Sequence, residues 1–268
     1  MATPSKKAAL LEAGLKGFQQ LNEEVAAALV EHDAVEIRAV YGQRYIGNGL
    51  EEDKRIDIHG TPGNDLGVYL DGGVLHVHGN GQDAVGNTMN RGTIVVEGHA
   101  GDALGYAMRG GAMYIRGDVG YRCGIHMKEY KTSRPVIVIG GRAGSYLAEY
   151  MAGGIIILLS IDYANAVPGG KPGLLTPGDP LLPQTGPFFA TGMHGGTVYV
   201  RGPVDPALLS AAVTTAPAER PEDLQLLRTE IRAFGKLFRV DPEPLLASSF
   251  TRVNCVSSRP YKNIYANN

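Results

Sequence analysis

The segment Thr93-Ile94-Val95-Val96-Glu97-Gly98-His99-Ala100-Gly101-Asp102-Ala103-Leu104-Gly105-Tyr106-Ala107-Met108-Arg109-Gly110-Gly111 is one period of a 19-residue unit. Strand-like segments of the same register begin at Arg55, Val74, Thr93, Ala112, Val136, Ile155 and Thr197, at intervals of 19, 19, 19, 24, 19 and 42 residues. The interval of 24 is one period with a five-residue insertion, and 42 is two periods plus four. One register therefore survives from residue 56 to residue 201, and a fixed period of this size marks a solenoid.

The columns of that register identify the solenoid. One column reads Ile56, Leu75, Ile94, Met113, Ile137, Ile156, Val198, and the column two residues on reads Ile58, Val77, Val96, Ile115, Ile139, Leu158, Val200. Both are wholly apolar. The column between them holds Asp57, His76, Val95, Tyr114, Val138, Ile157 and Tyr199, and the next one out holds His59, His78, Glu97, Arg116 and Arg201. Alternation with period two describes strands with one buried face, and recurrence of the same columns predicts parallel stacking of each strand on the next coil. Leu66, Val85, Leu104, Cys123, Leu147 and Phe189 form a second apolar side, and Met89, Met108, Met127, Met151 and Met193 stack in a third column with Leu70. Glycines mark the corners, where a short coil must turn sharply and let backbones approach. The reading is an all-β core, a parallel β-helix of about six to seven rungs over residues 49–202. An N-terminal segment, 1–48, precedes it and a C-terminal helix and tail, 203–268, follow.

The unit Gly-x-x-Gly-x-x-x-Gly, as in Gly60/Gly63/Gly67, Gly98/Gly101/Gly105 and Gly117/Gly120/Gly124, resembles the glycine-repeat (GXGXG) domain that closes the large subunit of glutamate synthase. The same domain is similar to a subunit of formylmethanofuran dehydrogenase and of the related formyltransferase/hydrolase complex. The phrases Gln82 to Asn90, Tyr121 to Lys128, Glu149 to Gly154 and Thr191 to Gly196 look most like the separately encoded form in glutamate synthase-like enzymes. The likeness covers roughly residues 35–202. It implies a right-handed coil and a non-catalytic, structural subunit of a multi-subunit oxidoreductase. The implied partners are a glutamine amidotransferase-like subunit and a glutamate synthase-like subunit with FMN and iron–sulfur clusters, and no cofactor is implied in this chain. The alternative is the β-helix subunit of a formylmethanofuran dehydrogenase or formyltransferase/hydrolase complex. A third reading, an enzyme in its own right, fits less well: a hexapeptide acyltransferase would show a six-residue period, and a pectate-lyase-like coil would be longer and less regular.

Outside the solenoid, Leu11, Leu15, Phe18, Leu21 and Val25 recur at helical spacing and predict an amphipathic helix. Its simplest use is to cap the first coil, whose edge and apolar end are otherwise open. Pro221-Glu222-Asp223 is a helix-start signal, and Leu224, Leu227, Ile231, Phe234 and Phe238 mark one face, so a helix is expected from about 221 to 238. Residues 128–134 form a charged insertion expected to be an exposed loop. The Pro/Gly-rich stretch 162–187 and the tail from Phe250 to Tyr265 carry no strand period; docking along the solenoid and docking on a partner are both open for the tail. The net charge of −2 and a pI near 6.4 favour neither nucleic acid nor an anionic membrane. Two cysteines make no disulfide framework, and acidic Glu12, Glu23 and Glu24 interrupt any signal-peptide core, so a cytoplasmic setting is expected.

Four features invite a chemical reading. Cys123 and His126 have ligand or nucleophile spacing, yet Cys123 falls in an apolar column and is expected to be buried and inert. His76 and His78 face the same way; with no acidic partner expected beside them, they read as a surface pair. The methionine ladder reads as core packing rather than a soft-metal site. Asp83 and Asp102 stack at equivalent positions with Asp65 one column away, which allows a carboxylate pair, but corner Asp residues are expected to bond local backbone amides. No catalytic, cofactor-binding or metal-binding residue is assigned.

Overall fold

The computed structural model describes residues 8–51, 53–162, 173–174 and 184–258. The chain runs β1 (Ala9–Glu12), α1 (Phe18–Glu31), β2 (Ala34–Tyr41), β3 (Arg55–Thr61), β4 (Asp71–His78), β5 (Arg91–Val96), β6 (Ala112–Ile115), β7 (Val136–Ile139) and β8 (Ala152–Leu158). It continues with β9 (Ile161–Asp162), β10 (Gly173–Leu174), β11 (Gly195–Arg201), β12 (Val213–Pro217), α2 (Pro221–Phe238), α3 (Glu243–Leu246) and β13 (Phe250–Cys255). Among the described residues, one sheet takes the order β1-β2-β3-β4-β5-β6-β7-β8-β11-β13-β12. Within that sheet every pairing from β1 to β11 is parallel, while β9 and β10 pair antiparallel apart from it. The protein is a parallel β-solenoid, and the pairing is the register of the sequence columns: Ile56 lies beside Leu75, Leu75 beside Ile94, Ile94 beside Met113.

The three apolar columns meet inside the coil. Ile56, Leu75, Ile94, Leu66, Val85 and the five stacked methionines are all buried in one core. The turn opposite the main strand has an unusual backbone. In each coil three alternate residues take positive φ, as at Ala103, Gly105 and Ala107 or Arg122, Gly124 and His126. Their amides still bond neighbouring coils, with Ala103 N–H donating forward to Tyr121 and Gly105 N–H donating back to Val85. The central position is glycine in five coils (Gly47, Gly67, Gly86, Gly105 and Gly124) because a side chain there points inward: a Cβ on Gly105 would strike the Ile137 side chain. The outer two positions point away from the core and admit non-glycine residues, so the corners are less exclusively glycine than expected.

Corner glycines of the second type answer to a different constraint. Asp83 Oδ1 accepts from the Asp102 amide of the next coil at 2.9 Å, and Asp102 Oδ1 accepts from the Tyr121 amide at 2.8 Å. Each carboxylate thus crosses over Gly101 or Gly120, where a Cβ would lie well inside van der Waals contact with it. The amides served belong to the following coil rather than to the local turn.

Both ends differ in part from expectation. The N-terminal helix is confined to Phe18–Glu31, with Leu21 and Val25 buried against the first coil. Leu11 instead lies in β1, which pairs with Val35–Arg38, and Leu15 is fully exposed. An available strand edge overrode the helical spacing, and Gly14, at φ +51°, turns the chain between the two elements. Strand β2 stacks in the same ladder, so coiling reaches N-terminal of residue 49. At the other end β13 pairs antiparallel with β11 and β12 with β13, which docks residues 250–255 on the last rung. Helix α2 spans 221–238 as its start signal implied. The insertion after Met127 is exposed and closes through a Tyr130/Ser133 bridge. Most of 162–187, and the tail beyond 258, lie outside the described residues. Among the described residues no helix is long and apolar enough to cross a membrane.

Candidate functional site

The outer face of the sheet divides into two halves. From the third coil on, its central column is Val95, Tyr114, Val138, Ile157 and Tyr199, and α2 covers it with Leu227, Ile231, Phe234 and Phe238. Tyr114 Oη donates to Glu230 at 2.8 Å, and Tyr199 Oη to Asp223 at 2.7 Å. Burial pushes both phenols above their usual range, and the neighbouring carboxylates add to the effect. Arg201, expected to face outward, is buried instead; its guanidinium donates to the carbonyls of Leu159 and Ser160 at 2.6 and 2.8 Å. Burial lowers its affinity for the proton.

In the two coils before it the same column is Asp57 and His76, and among the described residues no helix covers it. The ladder pairs Asp57 with His76 and His59 with His78. The expectation that His76 and His78 lack an acidic partner is thereby corrected: Asp57 flanks them on one side and Glu97 on the other. His78 Nε2 lies 3.1 Å and His76 Nδ1 3.7 Å from Asp57 Oδ1. Glu97 Oε1 is 2.9 Å from His76 Nε2 and 3.2 Å from His78 Nδ1. The His59 ring stacks on His78 with centroids 4.5 Å apart. Arg55 donates to both oxygens of Asp57 at 2.6 Å, and its Nη2 also reaches His76 Nδ1 at 3.1 Å.

The electrostatics follow from this packing. Partial burial pushes the Asp57 carboxyl up, but hydrogen bonds from Arg55 and His78 and the charge of Arg55 outweigh it and hold the group below the usual carboxylate range. Burial holds the His76 imidazole below its usual value, with His78 adding to the effect and Glu97 opposing it. The signal in the sequence was the change of one column from Asp and His to Val, Tyr and Ile. Seeing the cluster required placing Asp57 beside His76 in the register and letting Glu97 reach back one coil.

The remaining candidates do not converge. Cys123 is fully buried, with its thiol pushed far above the ordinary range by burial, while His126 is exposed and its ring stacks on Tyr150. The Asp83 and Asp102 carboxylates are occupied by amides of the next coil. At the starts of β4 and β5, Asp71, Arg91, Arg109, Lys128, Glu129 and Ser133 line an open groove of about 650 Å³.

The family model described as "GXGXG motif" matches residues 32–255, a span that takes in α2 and β13 as well as the coils. A protein of Methanocaldococcus jannaschii, described as "Uncharacterized protein MJ1350", is 42% identical over 255 residues, covering 92% of each chain. Among solved structures, the formyltransferase/hydrolase complex (FhcABCD) of Methylorubrum extorquens, in complex with methylofuran, contains a similar chain. The TM-score is 0.60 at 22% identity, over 82% of this chain and 72% of that one.

Proposed function

The chain belongs to the GXGXG motif family, and from that membership we propose that it is a structural subunit of a multi-subunit enzyme of the glutamate synthase type. In this reading the solenoid holds apart, and in fixed relation, a glutamine amidotransferase-like subunit and a subunit bearing FMN and iron–sulfur clusters. The observation that carries it is that the family module accounts for nearly the whole described chain. The phrases Gln82 to Asn90 and Thr191 to Gly196, with their likeness to the stand-alone form, favour the glutamate synthase side.

The surface offers what an assembled subunit needs. Along the turn side, Tyr69, Tyr106, Tyr121 and Phe188 are exposed. Tyr146 stacks on Phe188, with the Arg122 guanidinium 4.7 Å from the Tyr146 centroid. Aromatic and arginine side chains are enriched where protein interfaces form.

The formyltransferase/hydrolase neighbour supports a second reading, as the β-helix subunit of a formyl-transferring complex. Affinity capture of the tagged chain from its own cells, with mass spectrometry, a flavin spectrum and a glutamine-plus-2-oxoglutarate assay, separates the two. Recovery of an amidotransferase and a flavin/iron–sulfur protein with glutamate formation is expected. Recovery of formyl-transferring or molybdenum proteins transfers the assignment to the second reading, and a chain that elutes alone sinks both.

A further inference from the structure

Hydrogen-bond valence at the uncovered end of the sheet leads beyond a purely structural role. An ionised carboxylate only accepts. The two contacts of Glu97 Oε1, with His76 Nε2 at 2.9 Å and His78 Nδ1 at 3.2 Å, are therefore hydrogen bonds when those two nitrogens carry hydrogens. In the neutral rings His76 Nδ1 and His78 Nε2 then present lone pairs, and both face Asp57 Oδ1, itself an acceptor. Arg55 Nη2 satisfies His76 Nδ1. The approach of His78 Nε2 to Asp57 Oδ1, at 3.1 Å, then needs an electrophile between them, either a further proton on His78, which makes the contact a hydrogen bond to Asp57, or a cation in that proton's place.

The geometry points to a metal ion. We propose that Asp57, His76 and His78 bind a divalent transition-metal ion of the zinc class on the outer face of β3 and β4, with Glu97 orienting both imidazoles. One ligand atom from each of the three residues lies within 4.8 Å of the others. A tetrahedral zinc ion with bonds of about 2.0–2.2 Å sets its ligand atoms about 3.3–3.5 Å apart. The distances of 3.1 and 3.7 Å to Asp57 Oδ1 bracket that value. Two imidazole nitrogens select this class over magnesium or calcium, which take oxygen. Carboxylates that accept from the far nitrogen of a ligating histidine fix its ring and raise its basicity, the part Glu97 takes. The parallel register holds Asp57 and His76 side by side, so little conformational entropy is lost on binding.

Arg55 stands guard over this position. Its guanidinium, on a half-exposed side chain, takes Asp57 and His76 Nδ1 together and so competes with the ion. The ion displaces it into solvent. Removal of the arginine charge is therefore expected to strengthen metal binding, an effect opposite to that of deleting a structural ion pair.

The test is calorimetric titration of the chelator-treated full-length chain with zinc chloride near neutral pH, with circular dichroism on each variant to confirm folding. One ion per chain is expected, with His78→Ala and Asp57→Asn each weakening binding at least about tenfold and Glu97→Gln roughly tenfold. Arg55→Ala is expected to tighten it several-fold. The proposal is overturned by three outcomes: no saturable uptake by the parent chain, uptake unchanged in His78→Ala, or weaker uptake in Arg55→Ala. In the first case a second proton on His78 takes the place assigned to the metal.

Discussion

Asp223 shows how much one polar side chain holds in this molecule. It is fully buried at the first turn of α2, and its two oxygens accept from Tyr199 Oη, Arg220 and Arg252 at 2.7 to 3.0 Å. The carboxylate thus ties α2 to β11 and β13, and its place near the helix N-terminus is favourable for a negative charge. Replacing it with alanine leaves the largely buried Arg252 and the Tyr199 hydroxyl without their acceptor. Asp223→Ala is expected to cost about 3–5 kcal/mol in urea unfolding; a loss below about 1 kcal/mol would show that the clamp is not what fixes the helix. At this scale the sequence was only partly legible. Pro221-Glu222-Asp223 announced a helix, but nothing in that signal marked Asp223 as buried. Two of its three partners, Tyr199 and Arg252, lie 24 and 29 residues away, and local pattern carries no distance of that kind.

Among the elements, α2 decides which part of the sheet remains open. Its stripe of Leu227, Ile231, Phe234 and Phe238 closes on the apolar half of the outer column. Phe234 fits because Gly140 has no side chain: a Cβ there would lie 2.7 Å from the ring. Phe234→Ala should therefore lower stability by about 3–5 kcal/mol, whereas Leu224→Ala, at a site 47% exposed, should change it by under about 0.5 kcal/mol. Equal effects of the two in denaturant titrations would refute the assigned face. The periodicity of α2 was readable because its buried stripe is long and regular. The helix expected to include Leu11 was misread, since β1 gains backbone bonds to β2 that no local propensity records.

Over the whole molecule, stability is set by neighbours in the stack. Strands β5 to β8 each have a strand on both sides, an apolar interior and outer-column residues under α2, while β1 and β12 are the two edges of the sheet. Amide hydrogen exchange is expected to be slowest in β5–β8 and fastest in β1 and β12, because edge strands open without unstacking the rest. Uniform exchange across the sheet would refute this ordering. The sequence by itself determined the parallel solenoid, its register, its buried methionine column and the helix at 221–238. Each of these follows from repeated burial, and burial repeats wherever the coil does. Tertiary structure alone decided that α2 stops short of the first coils, that the C-terminal strand pairs antiparallel with the last rung, and that Asp57, His76, His78 and Glu97 meet. The physical reason is that these contacts depend on what packs across or beside the stack, and no period along the chain encodes that placement.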